Sequence, residues 1–128
     1  QAALHSYFNI GDISQIEVQN LPIRCYDSLQ GKHTDVPSTR RIEQGVDCIY
    51  SLEEDKTFLV DKAFNRRIQI THHHADSIVL WNPWEKTPSA MKAEGYKNMV
   101  CIETARLEKL LQFGESISAE ISALTTDI

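Results

Sequence analysis

Apolar residues recur at every second position through much of this chain. Near its start, Leu4, Ser6, Phe8 and Ile10 fall on one face of an extended segment while His5, Tyr7 and Asn9 fall on the other, the two-residue period of a strand. Residues 13–19 alternate well enough for a half-buried strand, closed by Asn20-Leu21-Pro22, which a strand interior would not tolerate. Residues 23–26 predict another short strand, and the polar run 27–39, with Gly31 and Pro37, reads as a loop. Val46, Cys48, Tyr50 and Leu52 then alternate with Asp47, Ile49 and Ser51 before Glu53-Glu54-Asp55 turns the chain.

Residues 57–61 and 66–72 predict a hairpin joined through Lys62 to Asn65, with an apolar strand over 77–81. The span 85–97 suits only a short helical turn or an irregular lid, since Pro88, Ala90, Met91, Lys92 and Ala93 fit neither a strand nor a long helix. Residues 96–103 lead into a second apolar strand, closed by Glu103. Short strands punctuated by Gly and Pro about every ten residues predict an all-β, antiparallel β-sandwich with no helix longer than about three turns.

Size and charge narrow the function. A chain of 128 residues that is 41% apolar can bury a substantial core. Its formal net charge of -5 excludes nucleic acid or an anionic membrane surface as the natural partner, because those surfaces demand clustered Lys and Arg. The apolar runs last only a few residues, far short of the ~20 a spanning helix needs, and no charged-then-apolar signal segment opens the chain. A cytoplasmic location without membrane association is expected.

Cys25, Cys48 and Cys101 are odd in number and widely spaced, so reduced and mostly buried thiols are expected. His72, His73 and His74 invite a metal reading. Neighbours on a strand point to opposite faces, however, so at most His72 and His74 could share an ion, fewer than the usual ligand set, and neither metal nor cofactor is expected.

The stretch Ser77-Ile78-Val79-Leu80-Trp81-Asn82-Pro83-Trp84 ends a strand in an aromatic loop, which suits a sugar: pyranose rings pack C–H faces on aromatics while their hydroxyls need a few convergent polar groups. Met99, Cys101 and Glu103 share one face of the following strand, so a single carboxylate projects from it. At the other end of the chain, a histidine beside a tyrosine on one strand face can act as a proton donor. Together the segment from Ala3 to Ile13, the Trp81-to-Trp84 turn and the strand from Met99 to Glu103 resemble the glucose-6-phosphate 1-epimerase branch of the aldose 1-epimerase (mutarotase) family, in order along nearly the whole chain.

The resemblance implies a galactose mutarotase-like supersandwich and an enzyme that interconverts the α and β anomers of a hexose 6-phosphate without a cofactor. It implies Glu103 as the base that takes the proton from the C1 hydroxyl, His5 as the acid at the ring oxygen, and Asp47 as a partner of a sugar hydroxyl. His5 and Glu103 are expected on one concave surface with side-chain ends roughly 5–8 Å apart, each within hydrogen-bond reach of a sugar ring between them. Asp47 is expected to open onto the same cleft. Trp81 is expected in the core and Trp84 near the mouth of the site, contacting substrate, with Asn82 and Pro83 fixing the loop. Residues 106–113 are locally helix-compatible, yet the family leads through Gly114-Glu115 into a last strand over 116–124, so extended structure is expected there. Between Met91 and Tyr96 the loop is shorter than the family's.

Family members are substantially longer, and their N-terminal half contributes strands of the same sandwich. Residues 1–128 are therefore expected to form a single partial domain, the C-terminal part of an incomplete sandwich, associated with the missing N-terminal segment or with a second copy. Arg40, Arg41, Arg66 and Arg67 are expected to be solvated, and none is assigned to phosphate. The rival reading is a non-catalytic carbohydrate-binding or regulatory sandwich, and a third is an interaction domain with open sheet edges.

Overall fold

The computed structural model describes residues 1–125. Among these residues eleven strands form two antiparallel sheets: β1 (Ala2–Leu4), β2 (Tyr7–Asn9), β3 (Ile16–Gln19), β4 (Arg24–Asp27), β5 (Lys32–Asp35), β6 (Val46–Ser51), β7 (Lys56–Asp61), β8 (Arg66–His73), β9 (Ser77–Asn82), β10 (Met99–Arg106) and β11 (Ser118–Thr125). One sheet runs β1-β10-β9-β6-β4-β5, with β2 also paired to β10, and the other runs β11-β8-β7-β3. No α-helix occurs among the described residues, only 3₁₀ turns at Ile13–Gln15 and Gly95–Asn98.

The alternation seen in the sequence decides which face each sheet buries. Cys48, Tyr50, Ile78, Leu80, Val100 and Ile102 point inward from the larger sheet to meet Ile16, Val18, Leu59, Ile68 and Ile70 from the smaller one. Because side chains alternate with period two, a one-residue slip in any of these strands would turn its buried set to solvent, which pins the register. Cys25, Cys48 and Cys101 are buried free thiols.

Four local expectations are corrected. Residues 32–35, read as loop, form β5, because the Asp27 carboxylate accepts from the backbone N–H groups of Leu29 and Gln30 and Gly31 takes a positive φ of 71°, closing a tight hairpin. As a largely exposed edge strand, β5 needs no apolar alternation, so its sequence gave no sign of it. Residues 13–15 start as a 3₁₀ turn, since the Asp12 carboxylate accepts from the Ser14 N–H and caps it. Residues 107–113, expected to be extended, carry no strand. They are held by side chains: the Asp76 carboxylate accepts from the N–H groups of Leu107, Glu108 and Lys109, and the Arg106 guanidinium donates to the carbonyls of His74, Lys109 and Leu110. Burial alone would raise the Asp76 carboxyl, but these amides and the Ser77 hydroxyl hold it at about 2. Finally, Arg40 is half-buried, donating to the Tyr50 hydroxyl and to Cys48 Sγ.

The histidine run divides by strand parity. His74 leaves the strand with φ 58°, and His72 points into the core. There its Nε2 meets Thr57 Oγ1 at 2.9 Å and its Nδ1 meets Thr104 Oγ1 at 2.7 Å, so a polar bridge crosses the apolar interior from β7 and β8 to β10. Burial pushes the His72 imidazole down from 6.5 to about 4. The neutral ring is therefore the folded form, and the folded value lies below the unfolded one. The stability it supports is complete above pH 6.5 and is lost as pH falls toward 4, by up to about 3 kcal/mol. Denaturant melts between pH 4 and 7 should show this loss in the wild type, and His72→Gln should flatten that part of the profile.

Candidate active site

A single register aligns the start of the chain with β10. Leu4 pairs with Thr104 and Tyr7 with Cys101, so the interruption at residues 5 and 6 preserves the count and His5 falls directly opposite Glu103. Ser6 accepts there from the N–H of Ile102 through its carbonyl. Directly opposed residues have Cβ atoms about 5 Å apart, close enough for His and Glu side chains to touch. His5 Nε2 lies 3.2 Å from Glu103 Oε2. This replaces the expected 5–8 Å separation: the two groups are directly opposed cross-strand neighbours, and their side chains close on each other.

Their environments differ. The His5 side chain is 46% exposed, whereas that of Glu103 is 8% exposed, on a strand buried along its whole length between β9 and the β1–β2 pair. Burial raises the Glu103 carboxyl, His5 lowers it, and the like charge of Asp47 raises it further. The same burial, with Glu103 beside it, pushes the Cys101 thiol up to about 12, so the thiol stays protonated.

Strand parity puts Asp47 and Trp81 on the same sheet face. Trp81 pairs with Cys101 on one side and with Asp47 on the other, so its strand stands between the one that carries Glu103 and the one that carries Asp47. Asp47 is half-buried, with its carboxyl raised first by burial and then by Asp27. The expectation that Trp81 fills the core is corrected. Its register places it opposite Asp47 on the face away from Leu80, and its ring meets His5 edge-on at 5.7 Å and Tyr7 at 6.3 Å.

A cleft of about 580 Å³ opens beside this face, lined by Asp27, Gln44, Trp81, Trp84 and Lys86 among others. Trp81 both lines the cleft and meets the His5 ring. His5, Glu103 and Asp47 stand on the adjoining sheet face, and none of the three is among the lining residues, contrary to the expectation of one shared cleft. Trp84 lines the cleft from a φ of 57°, its ring tilted against that of Tyr96 at 4.9 Å between centroids and packed against the core. Asn82 sets that loop: its Oδ1 accepts from the Trp84 N–H, and its Nδ2 donates to the carbonyls of Tyr96 and Met99. Sequence reasoning passed over Asp27, whose signal was its place at a turn, and gave Tyr7 no site of its own, although its parity with His5 was visible. Among the described residues no three His, Cys, Asp or Glu side chains gather as a metal-binding group.

One face of the antiparallel sandwich thus carries a paired imidazole and carboxylate beside aromatic side chains. The family model for aldose 1-epimerase matches residues 1–123, and the chain belongs to that family. It is 57% identical over 122 residues to a Haemophilus influenzae protein with the provisional name glucose-6-phosphate 1-epimerase, covering 95% of this chain and 45% of that one. An Escherichia coli protein of the same provisional name is 34% identical over 109 residues, covering 81% and 37%. Among solved structures, HI1317 superposes with a TM-score of 0.94 at 55% identity, over 95% of this chain and 45% of that one. YeaD of Salmonella typhimurium, provisionally named a mutarotase, gives 0.88 at 30% identity, over 96% and 45%. The chain thus spans less than half the length of these relatives.

The electrostatics can be tested in the chain itself. Removing the Asp47 charge should lower the Glu103 carboxyl, and removing His5 should raise it. Carbon-13 NMR titration of the Glu103 side chain in Asp47→Asn and His5→Phe should show shifts of opposite sign. Shifts in one direction would contradict the arrangement.

Proposed function

We propose that this chain carries the proton-transfer half of an aldose 1-epimerase acting on a hexose 6-phosphate. The observation that supports this most directly is the 3.2 Å pairing of His5 with the buried Glu103. The hydroxyl oxygen O1 and the ring oxygen O5 of a pyranose are both bonded to C1, so an acid and a base must stand close together to serve them. The Glu103 carboxylate takes the proton from O1 as protonated His5 delivers one to O5, and the C1–O5 bond breaks to leave an open aldehyde. Rotation about C1–C2 presents the other carbonyl face. O5 then attacks C1, His5 recovers its proton and Glu103 returns one to O1, so both groups end as they began. Burial and Asp47 raise the Glu103 carboxyl, bringing it nearer the neutral range in which a base is most effective. Trp81 and Trp84 offer the apolar faces of the sugar a floor, and Asp47 accepts from a hydroxyl.

The phosphate needs cations, and among the described residues lining the cleft only Lys86 is one. That favours a second reading, in which this chain alone binds sugar without turning it over. Full activity would then need the remaining length that its relatives have. Exposed Ile121 and Leu124 on β11, with Phe113 nearby in the chain, support association with such a segment or with a second copy, residues 1–128 being a partial domain. Buried free thiols agree with a cytoplasmic setting, and no helix among the described residues is long and apolar enough to cross a membrane.

Exchange NMR on α-glucose 6-phosphate should show faster anomerisation with the wild-type chain, alone or with the remaining segment of a full-length relative added. Glu103→Gln should lose about 10²–10⁴ of that acceleration, the usual contribution of a positioned base. Saturation transfer to the sugar without exchange in either case would establish the binding reading instead.

A further inference from the structure

The 3.2 Å contact between His5 Nε2 and Glu103 Oε2 fixes only one corner of the imidazole. Nearly half the His5 side chain faces solvent, and among the described residues no group hydrogen-bonds its Nδ1. What remains in contact with the ring is aromatic. Tyr7, two residues along on the same strand face, lies 4.8 Å away centroid to centroid at an interplanar angle of 34°, and Trp81 meets the ring edge-on at 5.7 Å and 70°. Tyr7 and Trp81 also meet each other at 6.3 Å and 86°, closing a cluster of three rings over Cys101 and Glu103.

Tyr7 keeps this position although it is 57% exposed, so burial does not hold it there. Its backbone pairs with Cys101 in the register that sets His5 against Glu103, and the ring therefore rises beside the imidazole whenever the strand pair forms. Its hydroxyl has no hydrogen-bond partner among the described residues, which leaves the ring as the part that touches His5. A histidine on an exposed strand samples several staggered rotamers, and only some of them aim Nε2 at a cross-strand carboxylate.

We propose that Tyr7 is a positioning residue for His5, its ring holding the imidazole in the rotamer that faces Glu103. This rests on the acid–base reading for its consequence in catalysis, but the positioning itself is independent of any substrate. Tyr7→Leu removes the aromatic face and Tyr7→Phe keeps it, so the two separate the ring from the hydroxyl.

The primary measurement is the nuclear Overhauser effect between His5 and Trp81 ring protons, a contact that does not pass through Tyr7. It should weaken several-fold in Tyr7→Leu and be retained in Tyr7→Phe, with circular dichroism confirming that both variants fold. Wild-type intensity in Tyr7→Leu would overturn the proposal. In the anomerisation assay Tyr7→Leu should lower kcat about three- to tenfold, the range an aromatic pair supplies, with KM little changed and with Tyr7→Phe restoring most of the loss. A weakened Trp81 contact with unchanged kcat would overturn the catalytic consequence. If no form of the chain turns over the sugar phosphate, the proposed function fails while the Overhauser measurement still decides the role of Tyr7.

Discussion

Everything at the candidate site depends on one constraint, the antiparallel register between the first nine residues and β10. Ala2 pairs with Arg106 and Asn9 with Met99, and the count holds across the gap at His5 and Ser6. The gap frees two residues from regular strand geometry without shifting anything beyond it. His5 thus acquires the exposure and freedom of a loop residue while keeping a strand residue's fixed partner. A shift of one position would put Leu4 or Ser6 against Glu103 and turn the imidazole toward the core.

The same strand sets the electrostatics. β10 is central, with β9 on one side and β1 and β2 on the other, so each of its residues is buried whichever way it points. Placing a carboxylate there penalises its ionised form, and only the half-exposed His5 offsets that penalty at contact distance. On the inward face of the strand, Thr104 next to Glu103 accepts the opposite polar load, the bridge through His72 to Thr57. Each buried polar group near Glu103 is therefore partnered, as an interior of low dielectric requires. Asp61 shows the contrast: one of its oxygens pairs with Arg66 and the other is buried with no partner among the described residues.

Period-two alternation made the major strands legible, because each has one face against the core and one away from it. It also carried the pairing of His5 with Tyr7 on one face and of Cys101 with Glu103 on another. It could not carry the distance between His5 and Glu103, which comes from register between segments a hundred residues apart. Nor could it show β5, an edge strand with no buried face, or the segment after Arg106, whose shape comes from the Asp76 carboxylate rather than from any local preference. Trp81 was misjudged for a related reason. A large aromatic in an apolar strand reads as core, but its neighbours Leu80 and Asn82 take the inward positions, and parity leaves Trp81 facing out.

Asn82 shows how a core position can shape a loop that lines the cleft. It is almost fully buried at the end of β9, where an apolar side chain would pack as well, yet its amide reaches the carbonyls of Tyr96 and Met99 while its oxygen takes the Trp84 N–H. Three backbone groups that a chain reversal would leave unpaired are satisfied by one side chain. That arrangement lets Trp84 adopt a positive φ, costly for an aromatic residue, and turn its ring onto the cleft beside Tyr96. The cleft wall and the strand that carries Glu103 are in this way tied to each other: the residue that orients Trp84 also holds the carbonyl of Met99, the residue from which β10 runs on to Glu103.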